Sequence, residues 1–201
     1  MSAADVPSVT CIVEGHGEAQ ALPVLIRRIA AQLDPPAYVD ASIGKRASRS
    51  MLVQAGGIEA AVEEAAFTGE SQQAILILLD ADDDCPAELG PRLLARVLSA
   101  RGDRTISLVL AEREYEAWFL AAAVSLAGKR GLPADIQPPA HSERIRGAKD
   151  WLADRLPPGR RYKETVDQPA LTALFDLQQA RSAASFDKCY REIVRLIAAL
   201  T

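Results

Sequence analysis

The sequence predicts an α/β domain, a mostly parallel sheet of about four strands flanked by helices, with an α-helical C-terminal extension. Three observations carry this reading. Short β-branched or aliphatic runs alternate with amphipathic stretches of helical period. The run AILILL at 74–79 shows no polar alternation, as a strand covered on both faces requires. Three of these strands end on or beside an acid, at Glu14, Asp80 and Glu112.

The first strand is SVTCIVE, residues 8–14, which runs into Gly15, His16, Gly17 and Glu18, a tight glycine turn. Residues 19–33 carry Leu22, Leu25, Ile26, Ile29 and Leu33 at helical spacing, and Pro35 and Pro36 end that helix. A weaker strand at 37–43 leads into Lys45, Arg46 and Arg49. The Ala- and Glu-rich stretch 58–67 is helical by composition, with Gly69 as its stop. The central strand follows, then a helix at 86–100 and a fourth strand, TISLVL, at 105–110. Residues 112–126 predict a helix in which Glu112 and Glu116 share a face at four-residue spacing. Trp118 and Phe119 in it are read as core. The Gly- and Pro-punctuated 128–139 reads as a linker, and helices at 142–156, 169–179 and 184–200 complete the tail.

At 201 residues, with 49% hydrophobic and 25% charged, the composition is that of an ordinary globular protein. No run has the length of a membrane span, MSAADVPSV lacks the features of a signal peptide, and Cys11, Cys85 and Cys189 form no CxxC pair. A cytoplasmic protein without a zinc cluster or disulfide framework is expected. The net charge of −4 hides an asymmetry, since residues 1–140 hold 12 basic against 19 acidic side chains and residues 141–201 hold 11 against 8. A polyanion would therefore be gripped by a local basic patch and by metal, not by the bulk field. The Walker loop and the GxGxxG fingerprint are both absent.

The chemistry concentrates at the strand ends. In a parallel sheet, ligands sit outside the carboxyl ends of the strands, where Glu14, Asp80, Asp82 and Glu112 would gather. Asp80 and Asp82 point the same way if the strand stays extended, with Asp84 beside them. Packed carboxylates repel and lose solvation unless a cation neutralises them, and Mg²⁺ suits hard oxygens. The bland alternative makes Asp82 to Asp84 a solvated loop at the next helix N-terminus. Lys45, Arg46, Arg161 and Lys163 are the basic residues placed to meet phosphates; their plain alternative is solvated loop. His16 reads as an exposed bystander, because Mg²⁺ prefers oxygen.

EGHGE at 14–18 after a first strand, with DADDD at 80–84 after a later one, resembles the Toprim domain of topoisomerases, primases and overcoming-lysogenization-defect nucleases. Through EREYEAW, RYKETVD and AASF the chain looks more like a Toprim-like family, domain of unknown function 4276. The resemblance implies a Rossmann-like α/β domain over 1–130 with a helical extension over 131–201 packed on it. It implies Glu14 as general acid/base or ligand, Glu18 as the second glutamate, Asp80 and Asp82 as ligands of Mg²⁺ or Mn²⁺, and Asp84 as an auxiliary acid. The expected activity is metal-dependent phosphodiester hydrolysis on nucleic acid, alone or with a partner such as an ATPase subunit. The competing expectation is a non-catalytic metal- or protein-binding module of a larger complex, or a homodimer docked through the helical tail.

Overall fold

The computed structural model describes residues 6–67 and 73–200. Gly69, the expected helix stop, lies outside them. Four strands form one all-parallel sheet: β1 (Ser8–Val13), β2 (Asp40–Arg46), β3 (Gln73–Asp80) and β4 (Thr105–Ala111), in the order β2-β1-β3-β4. With helices on both faces this is an α/β Rossmann-like fold. The chain leaves β1 toward β2 on one side and returns to β3 on the other, so the strand order reverses between β1 and β3. Such a switch point opens a crevice at the carboxyl ends of those two strands.

The two faces have separate cores. Alternation sends Val9, Cys11, Val13, Leu76, Leu78 and Val109 to one, and Ile12, Ile75, Ile77, Leu79, Leu108 and Leu110 to the other. The second face is covered by α3 (Gly57–Phe67) and α4 (Pro86–Arg101), with the short α2 (Arg49–Val53) alongside. The first is covered by α1 (His16–Ala31), α5 (Ala117–Ala121) and the tail helices α6 (Ala148–Ala153), α7 (Glu164–Thr172), α8 (Leu177–Ala180) and α9 (Ala184–Ala198). A strand so enclosed needs no polar face, which is why β3 is apolar from Ala74 to Leu79.

Three predicted helices differ. Residues 112–116 form a turn and the helix starts only at Ala117, because Arg113 adopts a left-handed φ of 63° that no continuous helix admits. Glu112 and Glu116 therefore do not share a helical face. The 142–156 stretch is broken by Gly147 at φ 69° into a 3₁₀ turn (Ser142–Arg144) and α6. The stretch predicted as helix at 169–179 is split between α7 and α8.

The tail shares its core with the sheet. Trp118 and Phe119 are fully buried, as predicted, and Trp118, Phe175 and Phe186 form edge-to-face contacts with centroids 5.2 to 5.4 Å apart. Leu132 and Ile136, in the irregular 128–139 stretch, are buried in the same cluster. The β4 edge is blunted by α9, whose Arg195 donates to the Ile106 carbonyl at 2.9 Å while Glu192 accepts from Ser107 at 2.7 Å. No helix among the described residues is long and apolar enough to cross a membrane.

Because Trp118 joins sheet and tail, Trp118→Ala is expected to cost about 3–5 kcal/mol. Urea denaturation followed by far-UV dichroism should still show a single transition. A separate early transition for the tail in the wild type contradicts the shared core.

Candidate functional site at the sheet switch point

Glu14 is the residue after β1 and Asp80 the last of β3, so the switch point places two acids on adjacent strand ends. Glu18 joins them from the first turn of α1 and is 6% exposed. The glycine turn makes this approach possible. A Cβ on Gly15 would lie 2.2 Å from Glu18 Oε2, and one on Gly17 would lie 1.7 Å from Gln168 Oε1. The fourth acid, Glu116, is fully buried.

Three of the four acids have one hydrogen-bonded oxygen. Asp80 Oδ1 accepts from the Tyr115 backbone N–H at 2.9 Å, Glu18 Oε1 from Gln168 Nε2 at 3.0 Å, and Glu116 Oε1 from the Tyr162 hydroxyl at 2.9 Å. The other oxygens of Glu14, Glu18 and Glu116 are buried with no protein partner. Buried acceptors left over in this way are rare in folded proteins and point to a missing donor or cation. Burial is the main cause that raises the carboxyl pKa at Asp80, at Glu14 and at Glu116, which is pushed up to about 7. The charges of Glu116 and Glu18 add to the effect at Asp80, those of Asp82 and Glu18 at Glu14, and that of Glu18 at Glu116. Among the described residues two cations act on the cluster: Arg49, whose backbone N–H and charge work against the rise at Glu14, and Lys149. Lys149 pairs with Glu164 at 2.9 Å, and although burial alone would lower its pKa, Glu116, Glu164 and Asp80 hold it above the ordinary value.

The rest of the DADDD run goes elsewhere. The strand stops at Asp80, and Asp82 takes a left-handed φ of 51°, so the expected alignment of Asp82 with Asp80 is lost. Arg49 explains the turn. Its guanidinium donates to the carbonyls of Asp80 and Ala81 at 3.0 and 3.3 Å, lies 3.5 Å from Asp82 Oδ2 and pairs with Asp84. Asp83 is bound by Arg113 and Arg146, which hold its pKa below the usual carboxylate range.

The remaining sequence candidates are dispersed. Glu112 lines a separate cavity with Pro138, Pro139 and His141. Lys45 is held by Glu64 at 2.5 Å. Arg46 is exposed at the sheet edge, in register with Val13. Arg161 and Lys163 are exposed beyond α6, and His16 is exposed as expected. Sequence reasoning missed Gln168, Lys149 and the contact role of Tyr162. The available signal was the placement of Asp167 and Gln168 on the same face of α7 as Leu171 and Thr172, two polar residues where apolar ones belong.

The donor set suits a hard cation, being carboxylate and amide oxygens with orphaned lone pairs. Among the described residues, however, no three acid, His or Cys side chains are already disposed as a metal cage.

No curated protein and no solved structure matches the chain significantly. A family model does, over residues 13–193, a span that runs from the end of β1 into α9 and takes in every residue of the acid centre. The chain belongs to the family described as Domain of unknown function (DUF4276).

Proposed function

We propose that the protein is a Toprim-like, Mg²⁺-dependent phosphodiesterase, a nuclease or nuclease subunit acting on nucleic acid. The observation that carries this reading is the set of orphaned, buried carboxylate oxygens on Glu14, Glu18 and Glu116 around Asp80, at the strand ends where an α/β sheet binds ligands. Glu14, Glu18 and Asp80 would hold the ion; Mn²⁺ would serve equally. Such an ion supplies an activated water and charge stabilisation at a phosphoryl oxygen.

The chain's own residues do the rest. Glu14, half-buried at the mouth with a pKa raised by burial, is suited to take a proton and return it. Gln168 orients Glu18, and Tyr162 fixes Glu116. Asp82 and Asp84, tied to Arg49, shape the rim rather than the centre. A reducing cytoplasm suits a chain whose three cysteines are all free. The second reading, a non-catalytic metal- or protein-binding module, is favoured by the ion pairs that engage Asp82, Asp83 and Asp84.

Plasmid nicking with Mg²⁺ or Mn²⁺ tests the proposal. Wild-type protein should nick, Asp80→Ala should not, and Glu14→Gln should be slower by about 10²-fold or more. Protein that leaves DNA and RNA intact with both metals contradicts it and favours the binding module.

The buried acids also set a pH dependence. Glu116 has a folded pKa of about 7 against an ordinary 4.5, so its stabilising contribution is full below about 4.5 and lost as pH rises through 7. Asp80 and Glu14 act in the same direction. Acids held low by arginines, such as Asp83 and Asp187, titrate below this window. In EDTA the thermal midpoint should fall between pH 5 and 7.5, and the fall should be smaller in Glu116→Gln. Mg²⁺ should raise the midpoint more at pH 7.5 than at pH 5. Identical pH profiles for the two proteins contradict this account.

A further inference from the structure

Beside the acid centre, on the same face of the sheet, lies a groove of about 670 Å³ lined by Arg130, Pro158, Arg160, Arg161, Lys163 and Val166, with Asp167 at its base. Two turns meet there. Arg130 and Gly131 adopt φ of 53° and 85°, and Gly159 adopts φ of 82°, which folds both chain segments back toward α7. Asp167, 4% exposed, organises the floor. Its Oδ1 receives Arg160 at 2.7 Å and Arg130 at 3.4 Å, and its Oδ2 accepts from the Lys163 backbone N–H at 2.9 Å. Arg160 also donates to the Arg130 carbonyl, which locks one turn on the other.

The charge balance is one-sided. Four cations face one carboxylate, and that carboxylate is already shared by two of them. Arg161 and Lys163 are exposed and make no ion pair with a described residue. Free cations on ordered turns, in a chain whose net charge is −4, are a local exception to the global field.

The groove is coupled to the acid centre by adjacent residues. Tyr162 stands between Arg161 and Lys163 in sequence, and its hydroxyl reaches Glu116 Oε1 at 2.9 Å. Gln168 follows Asp167 and reaches Glu18 Oε1 at 3.0 Å. Arg161 and Lys163 thus flank in sequence the tyrosine that bonds Glu116, which ties the groove's backbone to the acid centre.

We infer that this groove binds the phosphodiester backbone of a nucleic-acid strand next to the phosphate presented to the acid centre, with Arg161 and Lys163 as direct phosphate contacts and Arg130, Arg160 and Asp167 as their scaffold. This deepens the hydrolytic reading: the substrate is a polynucleotide with phosphates beyond the scissile one, not a mononucleotide. The assignment also separates the tail cations from Lys45, which is neutralised by Glu64.

Binding in EDTA isolates the groove from any cleavage. Short fluorescein-labelled single-stranded DNA and RNA are titrated with full-length protein by fluorescence anisotropy across a range of salt. At least one should bind, and Arg161→Gln/Lys163→Gln should weaken it and flatten the log Kd against log salt slope by about 1.4, two phosphate contacts at about 0.7 each. Arg92→Gln removes an exposed charge on α4, on the opposite face of the sheet, and should leave the slope unchanged. Three outcomes overturn the proposal: no binding of either oligonucleotide at low salt, an unchanged slope in the double variant, or an equal fall in Arg92→Gln. Full displacement of the oligonucleotide by an equal concentration of inorganic phosphate would likewise overturn it, by reducing the groove to a single-anion site. Because no divalent metal is present, failure of hydrolysis and failure of the groove are read separately.

Discussion

The constraint on which the rest depends is the confinement of four carboxyl groups, Glu14, Glu18, Asp80 and Glu116, at the point where the sheet reverses its strand order. Like charges out of water repel and forgo solvation, and a fold tolerates this only when hydrogen bonds, a counter-cation or a proton compensate. All three occur here. Tyr115, Gln168 and Tyr162 donate, Lys149 lies close, and the pKa values of Glu14, Asp80 and Glu116 rise. The compensation is incomplete, since three oxygens stay unpaired.

The C-terminal helices acquire a role from this arrangement. They complete the core over α1, and they also deliver the groups that hold the acids in place. Gln168 reaches back 150 residues to Glu18, over a glycine that no larger residue could replace without displacing it. The Arg49 guanidinium performs a parallel task on the other side, pinning the turn after β3 through two carbonyls and two aspartates. Binding energy that could have gone to an external anion goes to shaping the rim.

Much of this was legible in local sequence. β1, β3 and β4 follow from apolar runs of strand length, whereas β2, expected at 37–43, lies at Asp40–Arg46 because DASIGKR carries no such run to fix its ends. The acids at the strand ends follow from simple succession, because register in a parallel sheet brings successive strand ends to one edge. The small residues of EGHGE anticipate a tight approach, and Gly15 and Gly17 are the positions where a Cβ has no room. What was not legible depends on distant partners. Nothing near Asp82 announces that Arg49 will draw it into a left-handed turn, and nothing near Glu112 announces that Arg113 will delay the helix to Ala117. Gln168 and Lys149 are ordinary residues in ordinary helices until the fold places them against acids from the other end of the chain.

The central claim is that these acids converge on one cation site. Anomalous diffraction from crystals soaked in Mn²⁺ measures that directly. The account predicts a peak within coordination distance of Asp80 and Glu18, with Lys149 still paired to Glu164. A difference map empty at the switch point, or a peak bound instead by Asp82, Asp83 and Asp84 at the rim, would contradict it.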